Sequence, residues 1–259
     1  MPEDHAPESK RQIPTSLRLL LLLEKVAKAG APVTPSALCD ALNLPKPTVH
    51  RLLATAEAEG FFQRDIDGRS YGPGRRMRRL SINTLSSQRV RAERLRILKA
   101  LAGDVGETCN LAAPDRDGMV YIDRVETHWP LRIQLPVGTQ VPFHCTASGK
   151  MYMSSLRAEK LRRLLSAIAL ERRTRQTLTT PGALVQEITA TRERGYSTDD
   201  EEFMDGMAAM AVAVRDDQGR LLTTLSIHAP VQRHDLGGLV NHLPKLRQAA
   251  SRLERLALE

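Results

Sequence analysis

Apolar positions recur at helical spacing in three early stretches of the chain, and the third organises the rest. In LPKPTVHRLLATAEAEG, Leu44 to Gly60, the residues Val49, Leu52, Leu53 and Ala56 share one face, and Gly60 ends the run. Pro47 suits a first helical position, where its missing N–H costs nothing. Lys46, Thr48, His50, Arg51 and Thr55 are left facing outward. Upstream, Thr15 or Ser16 can cap a helix through LRLLLLLEKVAKAG that stops near Gly30, with Leu17, Leu20, Leu21 and Val26 available for burial. Thr34 or Ser36 can cap SALCDALN, where Leu38 and Leu42 fall four apart, and Leu44-Pro45 makes the turn into the third helix. Helix, helix, brief turn, helix is the order of a helix-turn-helix unit, whose last helix enters a DNA major groove with small, polar and cationic residues.

The period changes after Gly60. FFQRDIDGRSY reads as two short extended runs hinged at Asp67-Gly68, a wing with Arg64 and Arg69 on its two arms, placed to touch phosphates or the minor groove. From Gly74 to about Ala100, arginines alternate with Met77, Leu80, Val90, Leu95 and Leu98, which predicts a helical connector followed by a helix from Arg91 to Val105. Past Gly106 strands and helices mix. TCNLAAP, MVYIDRV, LRIQLPV, GMAAMAVAV and LLTTLSIHA read as strands, with helices around Ala158 to Leu165, Pro181 to Arg194 and at the C-terminal end. The expectation is two domains: a tail over 1–13, a winged helix-turn-helix over 14–74, a linker helix over 75–90, and an α+β domain with an antiparallel sheet over 91–259.

Charge supports that division. The net charge is +8, and residues 1–100 hold 18 Lys and Arg against 10 Asp and Glu, leaving 20 of each for the remainder. The excess positive charge therefore lies in the N-terminal part of the chain, the electrostatic footprint of a nucleic-acid module joined to a neutral one. Cys39, Cys109 and Cys145 are odd in number and form no CxxC pair, so no disulfide framework, zinc site or other cofactor site is indicated, and a reducing cytoplasm fits best. The apolar run Leu19 to Leu23 is far too short to span a bilayer.

The segments LPKPTVHRLLATAEAEGFFQRD, VYIDRVETHWPLRIQLPVGTQVPFHCTASGKMYM and RERGYSTDDEEFMDGMAAMAVAVRDDQGRLLTTLSIHAP, in this order, resemble the IclR family of bacterial transcriptional regulators. The resemblance runs from about Ile13 to the C-terminus. It implies a GAF-like effector-binding second domain, assembly as a homodimer or dimer of dimers, and control of a catabolic operon by a small metabolite, with repression the expected sign. It also implies an effector pocket bounded by Ala147 and Ser148, Asp199, Ala209, Ser226 and His228. Free N–H groups opening a helix near Thr146 to Lys150 would favour a carboxylate there. Three positions depart from the pattern. Ala209 stands where members that bind tiny oxoacids have cysteine, His228 where they have serine, and Pro47 where serine or threonine is common, which points to a different effector and operator.

Competing readings of the same residues are weaker. His144, Cys145 and His228 would be the groups of an enzyme acting on a small organic acid, but no nucleophile elbow, metal motif or nucleotide loop accompanies them. Ser148-Gly149-Lys150 imitates the end of a phosphate loop, yet His144 stands where its first glycine would be and Met151 replaces the Ser or Thr. The run Asp199 to Glu202 reads as a solvated acidic loop closing the pocket. A protein-interaction module that has lost DNA binding is the remaining alternative.

Overall fold

The computed structural model describes residues 13–85 and 88–258; the predicted tail, but for Ile13, lies outside them. The chain divides into two compact units with the boundary between Thr84 and Leu85. In the first, α1 (Thr15–Lys28), α2 (Pro35–Leu42) and α3 (Lys46–Ala58) precede strands β1 (Phe62–Arg64) and β2 (Tyr71–Pro73), and α4 (Arg75–Leu85) follows. Leu22, Val26, Leu38, Leu42, Val49, Leu53 and Phe62 form the core, with Met77 of α4 packed on it. Thr34 caps α2 by accepting from the Ala37 amide at 3.3 Å, and Asn43 closes it in the left-handed conformation at φ 49°, a backbone shape that Asn tolerates better than most residues.

Three local expectations shift. The residue before α1 is Pro14 and no side chain caps it, so neither Thr15 nor Ser16 does. Leu17 and Leu20 are exposed, and Leu22 and Val26 carry the buried face instead, flanked by Leu19, Leu21 and Leu23. A run of five leucines has no period of its own, so the tertiary contacts select the face. Pro47 is the second residue of α3 rather than the first. The wing forms as expected around Gly68 at φ 64°, with the Asp67 carboxylate accepting from the Arg69 and Ser70 amides at 2.8 Å. Val33 adds a single bridge to β2 through reciprocal bonds with Tyr71 at 2.8 and 2.9 Å.

The second unit is a six-stranded antiparallel sheet in the order β5-β4-β3-β8-β7-β6. Its strands are β3 (Thr108–Pro114), β4 (Met119–Val125), β5 (Gln140–Val141), β6 (Ser197–Asp200), β7 (Met207–Arg215) and β8 (Leu221–Pro230). Helices α5 (Gln88–Val105) and α10 (Leu243–Leu258) cover one face, where buried Asp123 pairs with Arg94 at 2.6 Å and Arg91 at 3.2 Å. The other face receives α6 (Ala147–Ser155), itself packed on α8 (Pro181–Arg194); α7 (Ala158–Ala167) and the short α9 (Leu236–Val240) complete the unit. LRIQLPV is not a strand: only Ile133 in it is deeply buried, Leu131 and Val137 are exposed, and Pro136 has no N–H for a ladder. Conversely, Asp199 and Asp200, read as part of an acidic loop, lie in the edge strand β6.

Helix α6 is seated tightly. A Cβ on Gly149 would lie 2.2 Å from the Phe143 carbonyl oxygen, so only glycine lets the two backbones meet. Gly149→Ala is expected to cost the second unit about 1–3 kcal/mol, as overpacking of a filled interior does. Urea unfolding followed by Trp129, the one tryptophan and a member of this unit, measures it.

Candidate functional site

Two constellations correspond to the sequence expectations, one in each unit. On α3, successive side chains turn by about 100°, so Val49, Leu53 and Ala56 facing the core leave Pro47, Arg51, Ala54 and Thr55 on the opposite side, with Thr48 and His50 on the two flanks. Lys46, His50 and Arg51 are exposed, while Thr48 is half-buried on the flank of the helix. Arg69 is exposed in the wing turn. Arg64 is exposed but engaged: its Nε meets the Glu57 carboxylate at 2.9 Å, its Nη1 the Gly68 carbonyl at 3.2 Å, and its guanidinium lies over the Tyr71 ring. It ties the wing to α3, and the Glu57 charge offsets part of its own.

In the second unit all six expected effector residues are buried, on the facing surfaces of α6 and the sheet. Register explains the grouping. Asp199 on β6 pairs with Ala209 on β7, Ala209 with His228 on β8, and His228 with Thr108 on β3. The neighbouring row on the same face runs Ser197, Ala211, Ser226, Asn110 and Arg124. Ala209 and Ala211 present no bulk, which admits Ala147 and Met151 of α6 against them. Ser148 Oγ lies 3.5 Å from Ser226 Oγ, and Ser226 Oγ lies 3.0 Å from His228 Nε2. Thr146 caps α6 by accepting from the Gly149 amide at 3.0 Å, so the Ala147 and Ser148 amides are those the first turn leaves over.

The acidic run is not a solvated loop. Asp199 and Glu202 are buried; Asp199 accepts from the Glu202 and Phe203 amides at 2.8 and 3.2 Å. Burial and the nearby Glu202 carboxylate push Asp199 up to about 7. Glu202 pairs with buried Lys150, which also reaches Glu187 at 3.5 Å, so this lysine serves charge pairing under α6 rather than phosphate binding. Burial lowers His228 to about 3, helped by the Arg124 charge, and leaves its ring neutral.

Neither Cys145 nor His144 is arranged for nucleophilic catalysis. Burial pushes the Cys145 thiol up to about 12, so it carries no thiolate at neutral pH. His144 is occupied by the Glu171 carbonyl at 2.9 Å. Among the described residues no group of three His, Cys, Asp or Glu side chains could hold a metal ion, and no helix is long and apolar enough to cross a membrane. Two open pockets, of about 340 and 360 Å³, lie elsewhere in this unit, one between α6, α8 and α10 and one beside Phe143 and His144. None of the six residues lines either.

Sequence reasoning missed three buried residues on the α6 side of the sheet: Asn110, Tyr121 and Arg124. The signal was the adjacent pair Asp123-Arg124 in a strand. Neighbouring strand residues point to opposite faces, so a strand covered on both sides must bury and partner both charges.

The comparisons agree with this architecture. Residues 17–65 match the IclR helix-turn-helix domain, and residues 82–255 match the C-terminal domain described as bacterial transcriptional regulator IclR C-terminal. The chain is 36% identical over 244 residues to the probable transcriptional regulator SauR of Cupriavidus necator, covering 94% of this chain and 97% of that one. It is 31% identical over 224 residues to the transcriptional repressor IclR of Escherichia coli, covering 86% and 82%. Among solved structures, the IclR of Thermotoga maritima shares the fold at a TM-score of 0.62 with 24% identity, covering 94% and 98% of the two chains. An IclR homologue from Microbacterium hydrocarbonoxydans, crystallised with 4-hydroxybenzoate, does so at 0.59 with 24% identity and the same coverage. Matched in order by both of its domain models, the chain belongs to the IclR family of bacterial transcriptional regulators, which bind DNA and are not enzymes.

Proposed function

We propose that this DNA-binding regulator represses a catabolic operon and answers to a small carboxylic acid held between α6 and the sheet of its second unit. The observation that carries the reading is the buried polar cluster of Ser148, Ser226, His228 and Asp199, set against the leftover amides of Ala147 and Ser148. A helix start with unpaired N–H groups favours an anion, and a carboxylic acid is also what the Microbacterium hydrocarbonoxydans homologue was crystallised with. The working unit is a homodimer or a dimer of dimers in the cytoplasm, with two α3 helices in successive major grooves of a near-palindromic operator. His50 and Arg51 read base edges or phosphates, Thr48 contributes from the flank, and Lys46, Arg64 and Arg69 position the unit on the backbone. The acid changes DNA affinity only by preferring one arrangement of the paired DNA-binding units over another.

Titration of the upstream DNA of the neighbouring operon, with and without candidate acids, tests the whole reading. An acid that alters operator affinity supports it, and turnover of the acid would revive the enzyme alternative. Arg51→Ala is expected to weaken operator binding and to reduce the slope of log affinity against log salt by about one. Unchanged affinity and slope would remove Arg51 from the interface. Sedimentation at working concentration reads the oligomeric state.

The buried carboxyl supplies a further expectation. Asp199 titrates near 7 in the fold against 3.8 when exposed, so the folded state holds the extra proton between these values and stability falls as pH rises from about 4 to about 7. Asp199→Asn should flatten that decline, which is on the order of a few kcal/mol. Urea midpoints of the second unit at pH 5 and pH 7.5 make the comparison.

A further inference from the structure

Strand β4 carries a register irregularity opposite Leu111 and Ala112: Leu111 pairs with Asp123, but Ala112 pairs with Tyr121, skipping Ile122. Without the skip, Tyr121 would share the face of Asp123, beneath α5. The bulge moves it to the face of Asn110, Arg124 and His228, and the Tyr121 and His228 rings meet edge to face at 6.2 Å.

These residues leave an unbalanced set of hydrogen-bonding groups. Arg124, with its side chain 4% exposed, gives Nε to Glu126 at 3.1 Å, Nη1 to the Asn110 side-chain oxygen at 2.7 Å, and Nη2 to the Ile133 carbonyl. A guanidinium has five N–H groups, so two remain. The Asn110 oxygen is taken, and its Nδ2 is buried without a partner. The Tyr121 hydroxyl is likewise buried and unpartnered, and burial keeps it protonated. The groups left over on Arg124 and Asn110 only donate, and the Tyr121 hydroxyl can donate with them. Glu126 does not balance the positive charge, because it also pairs with Arg132 at 2.7 Å. Nor does His228 add a charge, since its ring is neutral. A cluster of buried unpaired donors around a partly uncompensated cation fits one kind of partner, a group with several acceptor lone pairs and negative charge.

We infer that Arg124, Asn110 and Tyr121 form the acid-recognising end of the effector chamber, binding the effector's carboxylate through the Arg124 guanidinium, the Asn110 Nδ2 and the Tyr121 hydroxyl. This rests on reading the second unit as an effector chamber, and it adds a side-chain cation to the amides at the start of α6. The effector's remaining polar groups then meet Ser226 and His228, and the edge of the Tyr121 ring bounds its apolar part.

The test uses the full-length protein and three acids, acetate, benzoate and 4-hydroxybenzoate, each beside its uncharged amide. Binding is read by calorimetry and by the thermal midpoint. Wild type is expected to bind at least one acid in preference to its amide. Tyr121→Phe deletes an unpartnered hydroxyl, so the unliganded protein should be at least as stable as wild type while the acid's dissociation constant rises about tenfold. Arg124→Gln keeps an amide donor and removes the charge; it should abolish the preference for acid over amide, with a rise of about a hundredfold. If the acids bind both variants as they bind wild type, the assignment to Arg124 and Tyr121 falls while the chamber stands. If no acid binds wild type, the chamber reading falls with it. Loss of stability without ligand in Tyr121→Phe would mark the hydroxyl as structural and also overturn the proposal.

Discussion

The second unit depends on the rule that a polar group taken out of water must find a partner inside. Its sheet is covered on both faces, so each strand buries side chains above and below. On the α5 side Asp123 meets the requirement by pairing with both Arg91 and Arg94. On the α6 side it is met in part. Lys150, Glu202 and Glu187 share charge, and Ser148, Ser226 and His228 share hydrogen bonds, but donors on Asn110 and Tyr121 stay open.

The first unit solves a different problem, that of presenting charge rather than hiding it. Its core is apolar, and its exposed helix face is kept free of acidic groups from Lys46 through Thr55. Arg64 shows that not every arginine near a DNA-reading helix is equivalent. It is paired with Glu57 and laid over Tyr71, while Arg51 and Arg69 project. Residues 75–100 hold nine Lys and Arg against the single Glu93, so the chain's excess positive charge lies along the stretch that follows the wing rather than on α3 itself.

Much of this was readable in the sequence. GMAAMAVAV and LLTTLSIHA read as strands and form β7 and β8, helical spacing marked α3, and Asp67-Gly68 marked the wing turn. The six effector positions came from family resemblance, and they fall on one buried surface. What failed did so for definable reasons. The leucine run of α1 has no phase until it meets α2 and the wing. LRIQLPV has strand composition but lacks a donor at Pro136, whereas STDD lacks strand composition but completes a sheet edge. Tyr121 was invisible because a one-residue bulge reverses the face that simple alternation assigns to it.

The missing side chain at position 149 has a mechanical consequence. Because the Phe143 backbone rests where a methyl group would otherwise be, the head of α6 and the Pro142 to Thr146 segment are coupled as one stiff piece, further clamped by the Thr146 hydroxyl bonding to the Pro142 carbonyl at 2.7 Å. Val141, the last residue of β5, adjoins this piece, so the start of α6 and one edge strand of the sheet are joined through it.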